Sequence, residues 1–222
     1  MDINVKLAKM DLLYVRKKIF EFIGIEYLKF GLIPDSKYTW YSKKADSNFG
    51  KVRCYIQGIK NFSSIEFTLT FECTIKELLN MKIALQQLRG EAILKAPTFT
   101  IGEGEFYRAL EGENFKIKNN FYHKVTSEES LLKECNLCKD IFNKDIAPMI
   151  PILSNLKNFQ DYLIAEKFKI KNQKFILPGL LAMKMLGSTY YEAFSQQVAN
   201  YFDFENNKEH YVIEYVEQIR SM

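Results

Sequence analysis

The chain has 222 residues, 47% of them hydrophobic and 26% charged, with a net charge of +4. This is the balance of a globular protein with enough apolar material for a good core. So small a basic excess gives no reason to expect nucleic acid or an anionic membrane as partner, because dedicated binders cluster their basic residues far more densely.

Charges at Asp2, Lys6, Lys9, Asp11, Arg16, Lys17 and Lys18 interrupt every early apolar run, so no secretory signal is expected. The most apolar stretch, Phe175 to Leu186, contains Lys184 and is too short to span a bilayer. Four Cys (Cys54, Cys73, Cys135, Cys138) in such a chain are expected to be reduced thiols, and the location cytoplasmic. Eighteen Phe and thirteen Tyr point to a core built from rings.

Residues 4 to about 29 are predicted helical: Leu7, Met10, Leu13 or Tyr14, Lys17 and the Ile19, Phe20, Ile23 group approximate a 3.6-residue period. Gly24 is a point of interruption, and Gly31 with Pro34 ends the helix. Three strands follow, Tyr38 to Lys43, Lys51 to Ile59 and Ser64 to Cys73, joined by turn-forming residues as a meander. The last is the clearest. From Ile65 to Cys73 apolar and polar residues alternate without an error, so one face is buried and the other is wet or bound to something.

Thr74 and Glu77 form a capping box for a helix to about Leu88, stopped by Gly90. Short strands are expected near Phe99, at Phe115 to Lys118 and at Tyr122 to Val125. Ser127, with Glu128 and Glu129 behind it, starts a helix through Asn143; Pro148 and Pro151 break the chain before another helix from Asn155 to Ala165. Pro178 fits the first turn of the next helix, and two further patterns run from Tyr190 to Phe202 and Lys208 to Arg220. The order predicts one α+β domain over 1–222: an antiparallel sheet packed by helices on one face in about 1–126, and a helical part in about 127–222, with a weak break near Lys167 to Lys174.

Motifs that carry chemistry are few. Cys135-x-x-Cys138 has no second pair and sits inside a helical pattern, so the expectation is two small apolar helix residues rather than metal ligands. His123 and His210 have no local partner pattern, and Gly102-Glu103-Gly104-Glu105 is too acidic to cradle phosphate. Asp35-Ser36-Lys37 is a fragment of the acid-x-Lys pattern of metal-dependent nucleases, but it precedes its strand, and the further carboxylates such a site shares are not identified. Phe115 to Asn120 and Phe168 to Gln173 alternate apolar and basic residues, as edge strands do to prevent aggregation. No catalytic residue, cofactor or metal is therefore expected.

What remains is the polar face of the meander. Glu66, Thr68, Thr70 and Glu72 share one side of their strand; if Val52, Cys54 and Ile56 are buried on the preceding strand, its polar side carries Arg53, Tyr55 and Gln57. Charged, aromatic and amide groups on a rigid sheet make a serviceable binding surface.

The segments Phe30-Gly31, Tyr38-x-Trp40-Tyr41, Phe49-Gly50, Val52 to Gln57 and Ser64 to Phe71, with Ile141 to Pro151, Asn155 to Leu163 and Leu186 to Tyr191, resemble a group of uncharacterised bacterial domains typified by domain of unknown function 4304. The resemblance covers most of the chain and rests on patterns of fold. It implies a cytoplasmic bacterial α+β protein and brings no active-site residues; loosely similar small families act as immunity proteins beside toxins. The expected function is a non-enzymatic binding protein for a protein partner, with an enzyme assembled from distant residues, such as a metal-dependent nuclease using Asp35 and Lys37, as the alternative.

Overall fold

The alternation of the third predicted strand is realised in β4 (Ile65–Thr74), where Ile65, Phe67, Leu69, Phe71 and Cys73 are all buried. The computed structural model describes residues 11–36, 40–43, 51–61, 63–93, 96–102, 123–166, 173–204 and 217–221. Around β4 the described residues form β1 (Ile33–Ser36), β2 (Trp40–Lys43), β3 (Lys51–Lys60), β5 (Phe99–Gly102) and β6 (His123–Val125). The helices are α1 (Leu12–Lys29), α2 (Lys76–Leu88), α3 (Glu128–Ile141), α4 (Met149–Leu153), α5 (Leu156–Ala165), α6 (Gln173–Met185) and α7 (Tyr191–Phe204), with a π-helical turn at Phe142–Ile146 and a last helical stretch over 217–221. The fold is α+β, with an antiparallel sheet and a helical C-terminal part.

The chain gathers into two compact units, each built from two stretches: 1–73 with 100–151, and 74–99 with 152–222.

The first unit holds the sheet, in the order β1-β2-β3-β4-β5, with β6 also on β4. Trp40 lies opposite Tyr55 across β2 and β3, and Ile65 and Phe67 lie opposite Val125 and His123 across β4 and β6. The β3–β4 turn is closed by the Asn61 N–H donating to the Ser64 carbonyl at 2.8 Å. Val52, Cys54 and Ile56 join the apolar side of β4 in a face packed by α1 and α3. Helix α1 begins at Asp11, whose carboxylate accepts from the Tyr14 N–H at 2.7 Å, and buries Val15, Ile19, Phe20, Ile23 and Tyr27. It runs through Gly24 without a break. Its approach to the sheet depends on Gly58: a Cβ there would sit 2.9 Å from Leu12 Cδ1 and 2.7 Å from the Glu66 carbonyl oxygen. Phe142 closes this core, meeting Tyr27, Phe30 and Phe71 with ring centroids 4.6, 5.6 and 6.1 Å away.

The second unit is helical. Helix α6 packs against α2, α5 and α7, and its core includes three rings, Phe99, Phe159 and Phe175, with centroids 4.9 to 6.2 Å apart. Helix α2 ends in a Schellman turn: Gly90 takes φ +65°, the Glu91 N–H bonds the Gln86 carbonyl and the Gly90 N–H that of Gln87.

Several expectations are corrected. Thr74 is the last residue of β4 and not a cap. The residue before α2 is Ile75, which has no side-chain cap, and the Thr98 hydroxyl instead accepts from its N–H at 3.0 Å. Pro34 lies past the end of α1 as expected, but within a short strand, β1, that was not expected; the sheet order places it at an edge, where a missing N–H costs no ladder bond. Helix α3 stops at Ile141, because the backbone widens into the π-turn, with the Ala147 N–H on the Phe142 carbonyl at 2.8 Å. Pro178 lies in the interior of α6, not its first turn. Phe115 to Lys118, Phe168 to Asn172, His210 and residues 208–216 of the last pattern lie outside the described residues.

Candidate functional site

The polar side of the sheet is built by period two. Strand β3 buries Val52, Cys54 and Ile56 and turns Arg53, Tyr55 and Gln57 the other way. Glu72 of β4 ties two of them together. Its Oε2 lies 3.5 Å from Arg53 Nη1, and its Oε1 accepts from the Tyr55 hydroxyl at 3.1 Å. Burial, and then the Glu72 carboxylate, push the Tyr55 phenol up to about 12. Arg53, Tyr55 and Glu72 are each half-buried. Gln57, exposed, and Glu66 and Thr68, half-buried, lie on the same face nearer the β3–β4 turn. Thr70 differs from them: it is 3% exposed, and its hydroxyl has no hydrogen-bond partner among the described residues.

A second constellation was not expected from the sequence. On β6, His123 and Val125 are buried and Lys124 is exposed, so the imidazole points into the core, stacked on Phe67 at 4.8 Å between ring centroids. Helix α3, capped by Ser127 through a reciprocal pair with Ser130, packs on this strand. One turn apart on its inner face, Glu134 and Cys138 reach the two nitrogens of the ring. Glu134 Oε2 is 2.7 Å from His123 Nδ1, and Cys138 Sγ is 3.5 Å from Nε2.

A carboxylate has no proton to give, so Nδ1 carries the hydrogen, and in the neutral ring Nε2 then accepts from the thiol. The three groups form a line of Cys–His–Glu hydrogen bonds of the kind that activates a nucleophile. Glu134 is partly exposed, His123 is 3% exposed and Cys138 not at all. The signal that could have found it is the four-residue spacing of Glu134 and Cys138, with an inward-facing His eleven residues before the first.

Cys135, three residues before Cys138, stands outside this line. Burial, with Glu134 adding and Lys18 opposing, pushes its thiol up to about 11. Burial likewise raises Cys73 to about 12 and Cys54 well above the ordinary range, so these three are protonated, unreactive thiols at neutral pH. Among the described residues no group of three or more His, Cys, Asp or Glu could hold a metal ion. Glu134 and Cys138 take opposite edges of the imidazole, so their donors do not converge on one point.

Asp35 and Ser36 lie within β1 rather than before a strand, while Lys37 falls outside the described residues. Gly102 ends β5, and residues 103–105 are likewise outside. No helix among the described residues is long and apolar enough to cross a membrane. Comparison with protein-family models, with curated proteins and with solved structures finds no match for this chain.

Proposed function

We propose that this chain is a non-enzymatic binding protein that presents the polar face of its sheet to a protein partner, in the manner of an immunity protein neutralising a toxin. The observation that carries the reading is the Arg53–Glu72–Tyr55 arrangement: a cation, an anion and a phenol on two adjacent strands, held in place by one another. Groups ordered before binding lose less freedom when the partner arrives. Gln57, Glu66 and Thr68 extend the surface with donors and acceptors along the same strands. The resemblance to the domain of unknown function 4304 group points the same way by analogy alone.

The test is capture of partners by the tagged protein from bacterial lysate at ~0.3 M salt, where long-range attraction is screened, with Arg53→Ala/Gln57→Ala run in parallel. A stoichiometric protein retained by the parent and lost by the folded variant supports the reading. A partner kept equally by both moves the interface off this face. No partner for either sinks the reading. The position of Asp35 within a strand keeps a metal-dependent nuclease as the second reading, and Mg²⁺-dependent DNA cleavage abolished by Asp35→Ala would replace the first.

A further inference from the structure

We propose that Cys138 is an activated thiol nucleophile, with His123 as its base and Glu134 as the group that orients the imidazole, and that its ligands are small soft electrophiles admitted by a local opening that leaves the His123–Cys138 pair in contact. The sheet-face reading neither requires nor excludes this.

The geometry assigns the roles. Glu134 at 2.7 Å fixes the hydrogen on Nδ1, which aims the Nε2 lone pair toward Cys138 Sγ at 3.5 Å. The stack on Phe67 holds the ring plane. Cys135, only three residues away on the same helix, has no such base beside it among the described residues: the charges near it are Glu134, which opposes ionisation, and Lys18. A purely apolar role for the inner face of α3 requires neither the imidazole nor the carboxylate. Burying the imidazole instead calls for the hydrogen bonds that satisfy it.

Cys138 is closed to solvent, so reaction follows an opening step. With His123 and Cys138 still paired, the proton passes from Sγ to Nε2, the new S–C bond forms at the electrophile, and its leaving group departs with the bonding pair. With iodoacetamide the C–I bond breaks and iodide leaves.

Iodoacetamide is also the probe. The full chain is alkylated under native conditions, and the rate at each of the four cysteines is read by peptide mass spectrometry. Hydrogen exchange of the β6 and α3 amides under the same conditions measures the opening. The proposal predicts that Cys138 is alkylated faster per opening than Cys135, with a rate that levels off near neutral pH instead of rising through the ordinary thiol range near 8.5.

Glu134→Gln and His123→Gln separate the two possible roles by sign. If the groups only pack, removing them loosens the cluster and Cys138 reacts faster. If they activate, Cys138 slows by about tenfold or more after correction for opening. Unchanged or faster alkylation in both variants, or alkylation of Cys135 with none at Cys138, overturns the proposal. Should His123→Gln fail to fold, Glu134→Gln, at the partly exposed end of the line, decides alone.

Discussion

Tyr27 and Phe142 meet edge to face, with ring centroids 4.6 Å apart and planes at 66°, and this pair joins the last turn of α1 to the π-turn after α3. Neither ring reaches solvent. Because Phe142 also faces Phe30 and Phe71, its removal strips contacts from both helical segments and from β4 at once. Phe142→Ala is expected to cost about 3–5 kcal/mol, with Phe142→Leu costing markedly less. Urea unfolding followed by circular dichroism checks both; a cost below about 1 kcal/mol for Ala would remove Phe142 from the centre of the core.

Glu26 is a nearly buried carboxylate on α1 that pairs with Lys29 at 2.8 Å and with Lys139 of α3 at 3.3 Å. The hydrogen bond from Lys29, followed by that from Lys139, holds its pKa below the ordinary 4.5 despite burial. A carboxyl depressed in the folded state adds stability above its unfolded pKa and loses it as pH falls through the folded value. Parent and Glu26→Gln are therefore expected to differ most at neutral pH, with the parent the more stable, and to converge below 4.5. Urea midpoints measured from about pH 7 to about pH 3 show whether the two curves close.

Thr70 sits on the polar side of β4 but is buried, with its hydroxyl unpartnered among the described residues. A lone buried hydroxyl carries its desolvation cost, and valine has nearly the same shape without it. Thr70→Val is expected to stabilise the protein by about 1–2 kcal/mol, seen as a higher denaturation midpoint with an unchanged slope. A loss of stability instead would mean that the hydroxyl is satisfied.

In the second unit, Gly179 lets α6 lie close to its neighbours. A Cβ at this position would stand 2.9 Å from Leu163 Cδ1 of α5 and 3.0 Å from Phe194 Cε1 of α7. Helix propensity favours alanine over glycine by about 1 kcal/mol. Overpacking opposes it by about 1–3 kcal/mol and is expected to win, because Leu163 and Phe194 are themselves buried. A net gain in stability for Gly179→Ala would show that both side chains can give way.

What could be read from the sequence was local. The sheet's inner face followed from alternation at Ile65 to Cys73, and the starts of α3 and α5 from Ser127 and Asn155, because a strand's period and a cap's hydrogen bond involve residues a few places apart. The Glu134–His123–Cys138 line was missed because its members come from a strand and a helix, and nothing in a hydrophobic pattern says which strand residue faces which helical turn. The same holds for Thr98, which serves the start of α2 from 23 residues away. The face residues Arg53, Tyr55 and Glu72 were legible as a set because they obey period two, but not the burial of Thr70 among them.

The interleaving of the two units orders events on the ribosome. Residues 74–99, with α2 and Phe99, emerge long before the stretch from 152 onward that completes their unit. Over the roughly fifty intervening residues, a few seconds of synthesis at ~5–20 residues per second, the apolar face of α2 waits without its partners. The first unit receives its closing helix in that interval, and so can settle while the second is still being made.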